Sequence, residues 1–195
     1  DIAILREAGA HNISVDMMMA NPNQEMEVLL SDIEDFLSLG VEHISYYSLI
    51  LVEKTMFDYW LSQGQISLFD DELEREMYHQ AVDILESQGY KRYEISNFAQ
   101  PGFESRHNKK YWNLDEYLGF GLGAASHFQG DRYSNARTFT DYHQAVSQGN
   151  KPVAIRENLT EEDREKEYII MNMRLIAGID LELINNKFDI DFEMK

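Results

Sequence analysis

The tightest constraint on the fold lies near the start of the chain, where two hydrophobic periods follow one another. Ile13, Val15, Met17 and Met19 alternate with Ser14, Asp16 and Met18, the two-residue period of a strand. Asn21-Pro22-Asn23 then turns the chain. From Gln24 to Leu39 the period changes: Met26, Leu29, Leu30, Ile33, Phe36 and Leu37 fall at helical spacing, and Gly40 is placed to end the run. His43 to Leu51 returns to extended backbone, with Ile44, Tyr46 and Tyr47 favouring a strand. A helix between two strands is a crossover, so these strands are expected to lie parallel in one sheet.

The same alternation continues. Thr55 can cap a short helix carrying Met56, Phe57, Tyr59 and Trp60, which ends near Gly64. Asp70 heads a longer one, in which Leu73, Met77, Ala81, Ile84 and Leu85 share a buried face, and Gly89 closes it. A strand at Lys91 to Ser96 then makes a third βα repeat, and such repetition predicts a (β/α) barrel with its chemistry at the C-terminal ends of the strands.

Pro101-Gly102 breaks the chain, and the stretch up to Trp112 reads as a loop. Gly130-Asp131 reads as the turn of a hairpin between Ala125 to Gln129 and Arg132 to Asn135, and a helix is expected over Thr140 to Gln148. Past Lys151-Pro152 the character changes. Thr160 and Asp163 form a capping box, starting a helix with Tyr168, Ile169, Met171 and Leu175 inward, and a second short helix begins near Asp180. The expectation is therefore an α/β chain: the later part of a partial (β/α) barrel over residues 1–150, then the start of a small helical domain over 151–195.

A chain of 195 residues can bury an ample core, roughly 70% of its unfolded surface. Hydrophobic residues make up 44%, yet no long apolar run occurs, which argues against a transmembrane helix or signal peptide and for a cytoplasmic location. The formal charge of −18 disfavours nucleic acid as a partner, and no basic cluster exceeds Lys109-Lys110. Acidic runs at Asp70 to Glu76 and Glu161 to Glu167 read as solvated helix faces. The chain has no cysteine, which excludes disulfides and any thiolate-held iron-sulfur cluster within it.

Two places carry candidate chemistry. Asp16, toward the C-terminal end of the first strand, can accept hydrogen bonds from ribose hydroxyls, cap a turn or pair with a cation. His107 stands among Arg106, Asn108, Lys109, Lys110, Tyr111 and Trp112; it is either a hydrogen-bonding loop residue or a ligand beside aromatic surface. The other histidines, His11, His43, His79, His127 and His143, show no HExxH-like metal spacing. The alternating Gly119, Gly121 and Gly123 match neither the dinucleotide fingerprint nor the P-loop, so they are not read as a phosphate cradle.

His107-Asn108-x-x-Tyr111-Trp112, within the run Tyr93 to Trp112, resembles the heme-binding signature of the coproporphyrinogen-oxidase-like radical S-adenosylmethionine (SAM) proteins, and among them the HemW-type heme chaperones. The likeness extends through Asn12 to Gln24, His43 to Leu51, Tyr117 to Ser126 and Leu159 to Leu181, which is most of the chain in the family's order. It implies a radical-SAM-type barrel followed by a helical C-terminal domain. It also implies heme held through His107 as iron ligand, with Asn108, Tyr111 and Trp112 completing the signature; Arg106, Lys109 and Lys110 then read either as partners of the propionates or as ordinary surface cations.

Asp16 matches an Asp that contacts SAM in the family's Ile-Ser-Val-Asp strand, and the counterpart of the glycine run passes close to the SAM and substrate pocket. The family's other SAM contacts and the Cys-x-x-x-Cys-x-x-Cys loop of its [4Fe-4S] cluster are expected before Asp1. The chain thus reads as the later part of a longer parent that carries SAM and the cluster, the alternative being a relative that has lost the cluster. Alone it should bind SAM weakly or not at all and be inactive.

The function implied is binding of heme and its delivery to membrane respiratory hemoproteins, by a cytoplasmic protein that meets the membrane peripherally. The alternative is an oxidoreductase, oxygen-independent coproporphyrinogen III oxidase, which decarboxylates coproporphyrinogen III to protoporphyrinogen IX in porphyrin biosynthesis and lacks the heme signature. A partial barrel would also expose a sheet edge, so self-association is expected, opposed by the net charge.

Overall fold

Burial sorts the alternating residues of the first strand as its period requires: Met17 and Met19 are buried, while Ser14, Asp16 and Met18 are exposed. The computed structural model describes residues 1–192; the last three residues of the expected C-terminal segment lie outside the described residues. The chain divides into two compact units, Asp1–Glu104 and Ser105–Lys195.

The first unit contains α1 (Ile2–Glu7), β1 (Ser14–Met19), α2 (Met26–Ser38), β2 (His43–Ser48), α3 (Met56–Ser62), α4 (Asp71–Ser87), β3 (Lys91–Glu94) and β4 (Asn97–Ala99). β1 and β2 are parallel, in register from Ser14 opposite His43 to Met19 opposite Ser48, as the crossover requires. Leu29 and Ile33 of α2 and Met77, Ala81 and Leu85 of α4 lose all solvent exposure, packing in one cluster with Met17, Ile44, Tyr46 and Phe98 from the sheet. Thr55 and Asp70 cap their helices through the N–H groups of Asp58 and Leu73.

One expectation for this unit is corrected. The sheet order is β1-β2-β4-β3, so the strand starting at Lys91 is not the parallel neighbour of β2. The chain reverses after Glu94, and β4 inserts antiparallel to β2, with Phe98 opposite Ile44. The reversal is tied by Glu94, whose fully buried carboxylate accepts the Ser96 N–H at 2.8 Å and the Asn97 side-chain amide. Full burial of Phe98 at the centre of the core then favours this short strand over continued loop.

The second unit contains α5 (Arg106–Trp112), β5 (Ala125–Phe128), β6 (Asp131–Asn135), α6 (Phe139–Ser147), β7 (Val153–Asn158), α7 (Glu161–Asn172) and α8 (Leu181–Phe188). β5, β6 and β7 form an antiparallel sheet in that order. The hairpin turn sits one residue earlier than the sequence indicates: Gln129 (φ +53°) and Gly130 (φ +79°) supply the two left-handed positions that a two-residue hairpin needs.

β7 has no counterpart among the sequence expectations. All six of its residues are exposed, so no buried period marks it. Pairing with β6 and the ion pairs Arg132–Glu157 and Arg156–Asp131 hold it. The change of character near residue 150 therefore falls inside this unit. The capping box at Thr160 is formed, with reciprocal bonds of 3.1 Å between Thr160 and Asp163, and Asp180 caps α8. Among the described residues no helix is long and apolar enough to cross a membrane.

Candidate functional site

The stretch expected as a loop after Pro101-Gly102 is helical where it matters. Ser105 is its N-cap, its hydroxyl oxygen accepting the Asn108 N–H at 3.2 Å, and Arg106 to Trp112 contains helix-compatible residues without Gly or Pro. The correction changes the chemistry: a helix converts the spacing of His107 and Tyr111 into one face, one turn apart.

Their rings meet edge to face, with centroids 4.9 Å apart at 88°. Tyr111 in turn meets Tyr117 at 4.8 Å and 76°, and Tyr117 lies 6.4 Å from His127. His107 is exposed, whereas Tyr111 and Tyr117 are half-buried. Tyr117 is further tied by a two-way backbone bridge, its N–H donating to the His127 carbonyl at 2.8 Å and its carbonyl accepting from His127 at 3.1 Å. Burial, with the nearby Tyr111, pushes the Tyr117 phenol pKa up, against an opposing pull from Arg132.

Trp112 faces other partners. Its carbonyl accepts the Asn172 amide at 3.0 Å, the same amide that donates to the Tyr168 carbonyl, and the Arg174 guanidinium lies 4.3 Å from its ring centre. Trp112 is thereby committed to α7, with its indole nitrogen buried and unmatched among the described residues. Arg106 and Lys110 are exposed, and Lys109 is half-buried.

An exposed imidazole beside an aromatic edge, with Arg106 one position before it and Lys109 and Lys110 two and three positions after it, fits a heme group that such a nitrogen would hold and such cations would partner at its carboxylates. Among the described residues no group of three or more His, Cys, Asp or Glu side chains could hold a bare metal ion. An iron-sulfur cluster does not fit this chain, because no residue can supply a thiolate.

The glycine run following Tyr117 is a built loop. A Cβ on Gly119 would stand 2.1 Å from the Ala125 carbonyl oxygen, so only glycine fits. The Gly119 N–H donates to the buried Ser126 hydroxyl, and the buried Asn135 amide grips the carbonyls of Gly119 and Gly121 at 3.3 and 3.0 Å. These contacts use polar backbone groups on the protein itself, while Leu118, Phe120 and Leu122 point to solvent, Phe120 with 87% exposure.

Asp16 belongs to the first unit. It is mid-strand in β1, opposite Ser45, rather than near the strand's end, and its side chain is exposed. On the same sheet face His43 is buried, with Nδ1 2.8 Å from the Ser14 hydroxyl and Nε2 2.9 Å from the Tyr93 hydroxyl. Burial pushes the His43 pKa down, and the charges of Asp16 and Glu94 pull it back in part.

Sequence reasoning missed Tyr117, Asn172, Arg174 and the His43 network. Asn172 is 60 residues from the tryptophan it holds and His43 is 50 from Tyr93, so no local pattern links either pair.

No family model matches the chain. It is 38% identical over 189 residues to the heme chaperone HemW of Lactococcus lactis, covering 97% of this chain and 49% of that protein. It is 36% identical over 183 residues to the heme chaperone HemW of Bacillus subtilis, covering 94% and 48%. A mitochondrial radical S-adenosyl methionine domain-containing protein 1 of Mus musculus is 37% identical over 116 residues, 60% of this chain and 26% of that one.

Among solved structures, coproporphyrinogen III oxidase (HemN) of Escherichia coli, a radical SAM enzyme, matches with a TM-score of 0.75 at 18% identity, over 97% of this chain and 46% of that one, which establishes a shared fold. The chain spans about half the length of the curated relatives it matches. Over that half, it belongs to the HemW-type, coproporphyrinogen-oxidase-like family of radical SAM proteins.

Proposed function

We propose that this chain carries the heme site of a heme chaperone that delivers its cargo to membrane respiratory hemoproteins, meeting the membrane peripherally. The observation that carries the reading is the exposed His107 imidazole set edge to face against Tyr111 on a capped helix. His107 would supply the imidazole nitrogen that holds the heme iron. Tyr111 and the free part of Trp112 give apolar surface to the macrocycle, Asn108 completes the signature, and Arg106, Lys109 and Lys110 meet the propionates. Asp16 contacts SAM, which with its cluster belongs to the longer parent. In this assignment residues 1–150 are the later barrel and 151–195 open the helical domain.

A hemin titration of this chain beside His107→Ala, followed at the Soret band, tests the reading. Saturable binding weakened by the substitution is expected; equal binding by both removes His107 from the site.

The oxidase reading has one observation in its favour, the fold shared with coproporphyrinogen III oxidase. Formation of protoporphyrinogen by a cluster-reconstituted full-length relative would favour it over the chaperone. Self-association would run through the outer edge of β1, the end strand of its sheet. A monomer by sedimentation at high concentration would count against it.

A further inference from the structure

The signature helix cannot hold its own ligand still. α5 has seven residues and none of them is buried, and a helix that short is marginal by itself. Its C-terminal end is fastened through Trp112, which Asn172 and Arg174 hold. The face that carries His107 is supported through its rings: His107 rests on Tyr111, and Tyr111 rests on Tyr117.

Tyr117 is placed by forces independent of α5. The backbone bridge to His127 fixes its main chain. The next turn of chain is closed by Gly119, which donates to Ser126 and cannot carry a side chain without striking Ala125. A ring anchored in this way dictates where the edge of Tyr111 lies, and through it which way the imidazole plane of His107 turns.

We infer that Tyr117, outside the signature, is the positioning residue that sets the orientation of the His107 ligand. The inference rests on the heme reading proposed above. It assigns the work to the ring of Tyr117 and none to its hydroxyl, because both contacts run through ring edges and faces.

The test is a hemin titration of the 195-residue chain and its Tyr117→Phe, Tyr117→Leu and His107→Ala variants, with ferric electron paramagnetic resonance at saturating hemin. Tyr117→Phe should match the parent in affinity and spectrum. Tyr117→Leu should bind about 2- to 10-fold more weakly, the worth of one edge-to-face pair, and should show a broadened or mixed-spin ferric signal. The signal at saturation reports only folded, loaded molecules, so a loss of stability alone would lower the bound fraction and leave the signal as it was. Tyr117→Met serves in place of Tyr117→Leu if circular dichroism finds the latter unfolded. An unchanged ferric signal in the leucine variant, or an altered one in the phenylalanine variant, overturns the inference while loss of binding in His107→Ala keeps the heme reading. Unchanged binding in His107→Ala removes both.

Discussion

In the first unit Leu29, Ile33, Ile44, Met77 and Leu85 lose all contact with solvent, whereas among the described apolar side chains of the second only Ala136, Tyr168 and Ile184 are buried. The first is held mainly by burial, which is strong and indifferent to direction. The second is held largely by directional contacts: a β-bridge, amide-to-carbonyl bonds, ring edges and surface ion pairs. The difference teaches where exposed chemistry can be kept in order. A greasy core would swallow an imidazole or force it to find partners, as it does to His43, while a framework of polar and aromatic contacts can leave His107 in solvent and still give it a fixed neighbour.

That contrast can be broken experimentally, because the two tryptophans, Trp60 and Trp112, fall one in each unit. The largest effect belongs to the first core. Ile33→Ala should destabilise it by about 2–5 kcal/mol, read by urea unfolding through Trp60 in a Trp112→Phe background. An equal shift of the Trp112 transition, read in a Trp60→Phe background, would show that the units melt as one.

Next in size is Asn172→Ala, which removes the amide shared by the Trp112 and Tyr168 carbonyls. It should cost the second unit about 1–3 kcal/mol while the Trp60 transition stays in place. Ser105→Ala removes the cap of α5 and should cost about 1 kcal/mol, visible as faster amide exchange at Asn108. Phe120→Ser touches an exposed side chain and should alter stability by less than about 0.5 kcal/mol; a larger loss would mean that the glycine loop is packed in solution.

pH separates the units in a further way. His43 is surrounded by the Ser14 and Tyr93 hydroxyls and by the carboxylates of Asp16 and Glu94, and burial holds its pKa below the ordinary histidine value. The unfolded chain therefore takes up a proton first as pH falls. The stability contributed by neutral His43 is complete above the unfolded pKa and is lost as pH falls through the lower folded one. The Trp60 transition should weaken on going from neutral to mildly acidic pH, and less so in His43→Gln. An identical pH slope in that variant would exclude the histidine as the cause.

Much of the first unit was legible in advance because each strand and helix carries its own period and its own stop signal, as Met17 and Met19 in β1 and Gly40 after α2 illustrate. β7 escaped because a wholly exposed strand has no burial pattern to leave in its sequence. The signature residues were visible as a motif, yet their helix was hidden behind Pro101-Gly102, a break that acts several residues before the Ser105 cap begins the new element. The antiparallel return of β4 depends on Phe98 reaching a core assembled from distant residues, which no local window contains.

By itself, then, the sequence determined the parallel βαβ start, the caps and stops of α2 to α4, the lack of any thiolate for a cluster and the presence of the His107 motif, because period, capping and composition act over a few neighbouring residues. Tertiary structure alone decided the order of the sheet, the burial of His43 between hydroxyls 29 and 50 residues away, and the support of His107 through Tyr111 by Tyr117. Those outcomes depend on which surfaces meet once the chain has collapsed, and packing and desolvation are properties of that meeting rather than of any local run of residues.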